Sequence, residues 1–182
     1  KTNTTLSPHP DHPHDRFVIE TVREAIASAK EGNFGVGAVL VDSAGKILFR
    51  GRNRIFFPFF RSDLHAEMDL MTKVEERFQD VAMPSDLALF SSLEPCPMCT
   101  TRLIISGVGQ VYYAAPDEPG GMVTRLSLLP SEWQVLAEGR QFRQADCSAE
   151  VRELAWRIFE ITVGVNDQRL KERVKSLLGR NL

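Results

Sequence analysis

Leu87-Ala88-Leu89-Phe90-Ser91-Ser92-Leu93-Glu94-Pro95-Cys96-Pro97-Met98-Cys99 is an apolar run that ends in a proline-flanked cysteine pair. Leu87 to Ser91 has the length and composition of a buried strand. Pro97 suits the first turn of a helix opening around Pro95–Cys99, because a helix start leaves unpaired the N–H that proline lacks. Val108 to Ala115 reads as the next strand. Strand, helix and strand in this order predict a parallel pair joined by a right-handed crossover.

Working outward, Ser62 and Asp63 are good N-cap residues for a helix over about Leu64–Phe78. Val36–Val41 and Lys46–Arg52 flank the turn Asp42-Ser43-Ala44-Gly45 and predict a hairpin. Val18, Val22, Ala25, Ile26 and Ala29 recur at helical spacing up to Gly32. Residues 1–15 hold His9, His12 and His14, but Pro8, Pro10 and Pro13 break the segment. His-rich tracts can bind metal; spaced prolines fit a disordered or mobile tail better. Toward the other end, Ser131-Glu132-Trp133-Gln134 matches a capping box, and Phe142 suits a short edge strand. Val151, Leu154, Ala155, Ile158, Phe159 and Thr162 form a helical stripe that Gly164 is expected to stop. Leu170, Val174, Leu177 and Leu178 then predict one further helix. The alternation is that of an α/β layer sandwich with helices on both faces of a sheet. At 182 residues, one domain over 16–182 is expected, with 118–182 completing it.

Composition narrows the function. With 43% apolar and 25% charged residues the chain is of globular rather than disordered type. No apolar run reaches the roughly 18 residues of a membrane span. A net charge of −2 argues against a protein built mainly to grip nucleic acid. Three cysteines, two of them close neighbours, do not make a disulfide framework. They fit a reducing, cytoplasmic compartment and a metal or redox use for the pair.

Three readings of Cys96 and Cys99 compete. A redox pair leaves His65-Ala66-Glu67 without a purpose. A structural zinc knuckle needs four protein ligands, and Cys147 lies far outside the usual spacing. His65, Cys96 and Cys99 as three ligands leave a fourth position for water, whose pKa zinc can lower to roughly 7. The amides at the helix start near Pro95 favour the thiolate forms that bind metal. Glu67, two residues from His65, then stands as general acid/base, able to take the water's proton and deliver it to a ring nitrogen and a leaving amine.

His65-Ala66-Glu67 followed by Pro95-Cys96-Pro97-Met98-Cys99 matches the H-x-E…P-C-x-x-C signature of zinc-dependent nucleobase deaminases. On these residues the chain resembles the cytidine deaminase superfamily from about Phe17 to Asp117. It is most similar to the branch of guanine, fungal-type cytosine and tRNA adenosine deaminases. The resemblance implies a three-layer α/β/α sandwich around a mixed five-stranded sheet, hydrolytic loss of an exocyclic amine as ammonia, and a homodimer. It also places Asn53, within Gly51-Arg52-Asn53-Arg54, where relatives hydrogen-bond the base, and Ala66 where a backbone amide meets the substrate.

The expected substrate is a free nucleobase or similar small aminated heterocycle. Guanine is the base favoured, from Pro-Cys-Pro-Met-Cys combined with the long C-terminal part. Adenosine in tRNA is the alternative and needs a basic surface. Arg169, Lys171, Arg173 and Lys175 supply basic residues, though cations also suit the end of a final helix. A zinc-holding sensor or scaffold without activity is a further alternative, and the intact Glu67 stands against it. The aromatic loop Phe56–Phe60 is bulkier than the branch implies and is expected at a dimer interface rather than as a pocket wall.

Overall fold

The computed structural model describes residues 6–79 and 86–178. The first five residues of the expected tail and the last four of the expected domain lie outside them. The hairpin forms from β1 (Gly37–Val41) and β2 (Ile47–Arg52), and the crossover from β3 (Ala88–Leu93), α3 (Pro97–Ser106) and β4 (Gln110–Ala115). Before them run α1 (Asp15–Lys30) and, between β2 and β3, α2 (Ala66–Arg77). After β4 come a 3₁₀ turn (Val123–Leu128), α4 (Ser131–Ala137), β5 (Gln141–Gln144) and α5 (Ala149–Leu178).

The sheet order is β2-β1-β3-β4-β5. The pairs β1–β2 and β1–β3 are antiparallel, while β3–β4 and β4–β5 are parallel. This is the expected mixed five-stranded sheet. Phe142 does sit on its edge strand, β5. Two glycines set how closely helices approach the sheet. A Cβ on Gly37 would collide with the α1 backbone at Thr21 and Ala25, and one on Gly51 would lie 2.6 Å from the Leu70 side chain of α2. Neighbouring residues of a strand face opposite ways, and Gly51 pairs with Ala38, the neighbour of Gly37. The two contacts therefore belong to opposite faces of the sheet. Val39, Leu40, Leu89 and Phe90 are fully or almost fully buried between the layers. No helix among the described residues is long and apolar enough to cross a membrane.

Four sequence expectations shift. The helix expected to stop at Gly164 runs on to Leu178, so two expected helices are one of 30 residues. A glycine inside a helix costs only about 1 kcal/mol. Packing of Ile158, Val163 and Leu170 on both sides of it outweighs that. Second, α2 starts at Ala66 with His65 at its N-cap. Asp63 lies two residues before that cap, and its carboxylate instead accepts from Arg61 Nε and Nη2 at 2.9 and 2.7 Å. Third, Ser131 is the first residue of α4 rather than its cap, so the capping box does not form. Fourth, the N-terminal segment is tied down where it is described. The His14 ring lies 4.6 Å from that of Tyr112, and His14 Nδ1 accepts from the Asp146 N–H at 2.9 Å. The buried Asp15 carboxylate accepts from the His9 and Ser148 N–H groups.

Candidate functional site

Two helix starts converge. His65 is the N-cap residue of α2 and Cys96 that of α3, with Pro97 as the first residue of the helix. Their carbonyls accept the first helical bonds, from Asp69 and Thr100. The crossover from β3 brings α3 beside α2, and Gly51 lets α2 seat on β2. The donor atoms of His65, Cys96 and Cys99 all lie within 4.8 Å of one another. Among the described residues they are the only cluster of three possible metal donors.

The donor set fits zinc. Bond lengths of about 2.0–2.1 Å to nitrogen and 2.3 Å to sulfur give tetrahedral edges of roughly 3.5–3.8 Å. Cys96 Sγ stands 3.5 Å from His65 Nδ1. Cys99 is fully buried, and Glu67 Oε2 is 3.4 Å from its Sγ. Glu67 is thus beside the metal position, as its spacing from His65 predicts. It is only 4% exposed, and Ser91 Oγ donates to its Oε1 at 3.1 Å. That bond leaves Oε2 as the oxygen facing the cluster.

Charge is distributed unevenly here. Burial, and after it the negative charge of Cys96, push the Glu67 carboxyl above the usual carboxylate range. The side-chain hydrogen bond with Cys99, supported by His65, pulls the Cys96 thiol down to about 4. The same sulfur–sulfur hydrogen bond and burial raise Cys99. His65 is raised by its partner Cys96 even though burial, the largest influence on it, acts the other way.

Beside this cluster lies a cavity of about 460 Å³. Asn53 and Ala66 both line it, as their sequence positions imply. Asn53 is 3% exposed, and its Oδ1 accepts from the Ile55 N–H at 3.2 Å. Only an oxygen can accept there, so Nδ2 is the group left for a ligand and it can only donate. Ala66 is the first residue of α2, where an N–H has no intrahelical acceptor.

The far wall was not foreseen. Trp156, Phe159, Val163, Asp167 and Leu170 line the cavity from one face of α5, at spacings of three and four residues. Phe159 and Leu170 were visible as members of apolar stripes, but a stripe does not say whether it faces a core or a cavity. Glu94 and Asp117 also line it. Burial raises the Asp117 carboxyl despite the hydrogen bond from the Gly120 N–H. The aromatic loop joins this wall. Phe56 packs on Phe34 with ring centres 6.1 Å apart, and the guanidinium groups of Arg169 and Arg173 lie 3.8 and 3.9 Å over Phe56 and Phe60. Phe57 and Phe59 remain 49% and 63% exposed.

Residues 12–115 match the cytidine and deoxycytidylate deaminase zinc-binding region. A tRNA-specific adenosine deaminase of Bacillus subtilis is 32% identical over 117 residues, 64% of this chain and 71% of that protein. A tRNA(Ile)-lysidine synthase of Thermus thermophilus is 32% identical over 155 residues, 85% of this chain. The chain spans only 27% of that protein. A match of 155 residues within 182 must run past Asp117, so similarity is not confined to the zinc-binding part. The solved guanine deaminase of Nitrosomonas europaea superposes with a TM-score of 0.61 at 19% identity, covering 86% of this chain and 87% of that one.

Proposed function

We propose that this chain, which belongs to the cytidine and deoxycytidylate deaminase zinc-binding family and is a zinc-dependent hydrolytic deaminase, acts on an aminated purine presented by RNA, adenosine in a tRNA. The observation that carries this is the B. subtilis relative, whose name states that substrate and over two thirds of whose length this chain spans. The aromatic loop supports it: Phe57 and Phe59 are exposed, and Arg169 and Arg173 stack on their neighbours Phe56 and Phe60. Aromatic faces and guanidinium groups together hold single strands by stacking and by contact with phosphate. The same loop was expected at a dimer interface; a homodimer stays part of this proposal.

Free guanine is the second reading, and one observation favours it. Trp156, Phe159 and Val163 of α5 line the cavity, giving apolar surface on which a free base could pack. The Nitrosomonas structure supports the fold at its level of identity and does not select guanine.

In either reading the site's roles are the same. When bound to His65, Cys96 and Cys99, zinc supplies a Lewis acid that lowers the pKa of water. Glu67 would take the water's first proton on Oε2 and deliver it to the ring nitrogen. It would then take the remaining hydroxyl proton and deliver it to the departing amine, so that ammonia leaves and the carbonyl forms. Ser91 holds that carboxylate in line. Asn53 Nδ2 and the Ala66 N–H donate to acceptors on the ring. The apolar wall of α5 excludes water from the ring's far side.

Ammonia release from an anticodon stem-loop RNA, from adenosine and from free guanine decides between the readings. Release from the RNA alone, weakened by raising salt, is the expected result. Release from guanine with none from RNA overturns the first reading in favour of the second.

A further inference from the structure

Glu94 immediately precedes the Pro95-Cys96 turn and is only 3% exposed. Its carboxylate has no cationic partner among the described residues; it is held by neutral donors. The Asp117 N–H donates to Oε2 at 3.2 Å, and the Thr124 N–H and Oγ1 donate to Oε1 at 2.9 and 3.1 Å. Two backbone bonds run alongside, Glu94 N–H to Ala115 O at 2.9 Å and Met122 N–H to Pro95 O at 2.9 Å. Gly121 lies flat against the carboxylate, where a Cβ would come within 2.6 Å of Oε2.

A buried carboxylate persists only when its lone pairs are met, and here every donor comes from one loop, residues 117–124. That loop supplies Asp117, Pro119 and Gly120 to the cavity. We infer that Glu94 is a positioning residue: its carboxylate clamps the 117–124 loop to the turn bearing Cys96, and so fixes one side of the substrate cavity relative to the metal position. The inference rests on this cavity being the one that takes the substrate, as proposed above. A glutamine cannot do the same work. Its oxygen can keep Thr124, but its NH₂ then faces the Asp117 N–H, donor against donor.

The test uses the zinc-loaded full chain. Glu94→Gln should speed amide hydrogen exchange across 117–124 at least tenfold and leave α2 and α3 unchanged, with one zinc per chain. Gly121→Ala, which crowds the carboxylate from the other side, should give the same pattern with Glu94 still present. On the anticodon stem-loop RNA, Glu94→Gln should raise KM about tenfold with kcat within about threefold. Unchanged loop exchange in both variants overturns the clamp. Faster exchange with an unchanged KM overturns its link to the substrate. If the wild-type chain does not deaminate the RNA, the proposed substrate is wrong, and the exchange arm still decides the clamp while the KM arm moves to guanine.

Discussion

The two walls of the cavity differ in kind. One is made of helix starts, with His65 and Cys96 at the N-caps of α2 and α3 and Glu67 and Cys99 in their first turns. The other is the flank of one long helix, α5, lined by Trp156, Phe159, Val163 and Leu170. The first wall holds groups that react, and their chemistry shows in their identity. Those four side chains of the second only shape space and are of the types found in any core, with Asp167 the one charged residue beside them on α5. The contrast teaches that the candidate reactive groups and the apolar lining of the cavity come from different parts of this chain.

The contrast is broken or sharpened most strongly at Glu67. Glu67→Gln removes the proton carrier without removing a metal ligand, so turnover should fall about 10²- to 10⁴-fold with zinc content unchanged. Steady-state ammonia release and metal analysis on one preparation check this. A variant within threefold of wild type would sink the assignment.

On the other wall the effect should be smaller and of another type. Trp156→Ala removes apolar surface from the ring's enclosure. Losing about 1.5–3 kcal/mol of burial predicts a KM raised roughly ten- to a hundredfold, with kcat little altered. An equal fall in kcat would mean that α5 takes part in the chemical step, and the two walls would no longer be distinct.

The smallest effect tests whether α5 is one helix. Gly164 has nothing within 4 Å of where its Cβ would be. Gly164→Ala should therefore stabilise the chain by up to about 1 kcal/mol, or roughly 2–4 °C in Tm for a chain of this size. Destabilisation would point to a break at Gly164 of the kind its sequence suggests.

Much of the reactive wall was legible because its signals are local. The chain's strand, helix and strand from Ala88 to Ala115 follow from apolar runs and a well-placed proline. His65, Glu67 and the cysteine pair declare themselves by type and spacing, and the cluster of donors is where that spacing puts it. The misreadings have a common cause. Asp63 is a good cap in isolation, but α2 begins after His65, and Asp63 pairs with Arg61 outside the helix. Gly164 is a helix stop in isolation, but packing on both flanks carried the helix through. Glu94 drew no notice because nothing in its neighbours shows that Asp117 and Thr124 return to it.

What the sequence by itself determined is the set of possible metal donors, the carboxylate proposed beside them as proton carrier and the order of strands and helices that delivers them, since each depends on residue identity over a few positions. Only the tertiary structure decided what surrounds them: that α5 crosses the cavity, that the Phe56–Phe60 loop stacks on its arginines, and that Glu94 gathers the loop beyond β4. The physical reason is distance along the chain. Glu67 and Trp156, like Asn53 and Asp167, line one cavity although they stand some ninety or more positions apart in the sequence, and no local pattern records which apolar face will be chosen to close a cavity rather than fill a core.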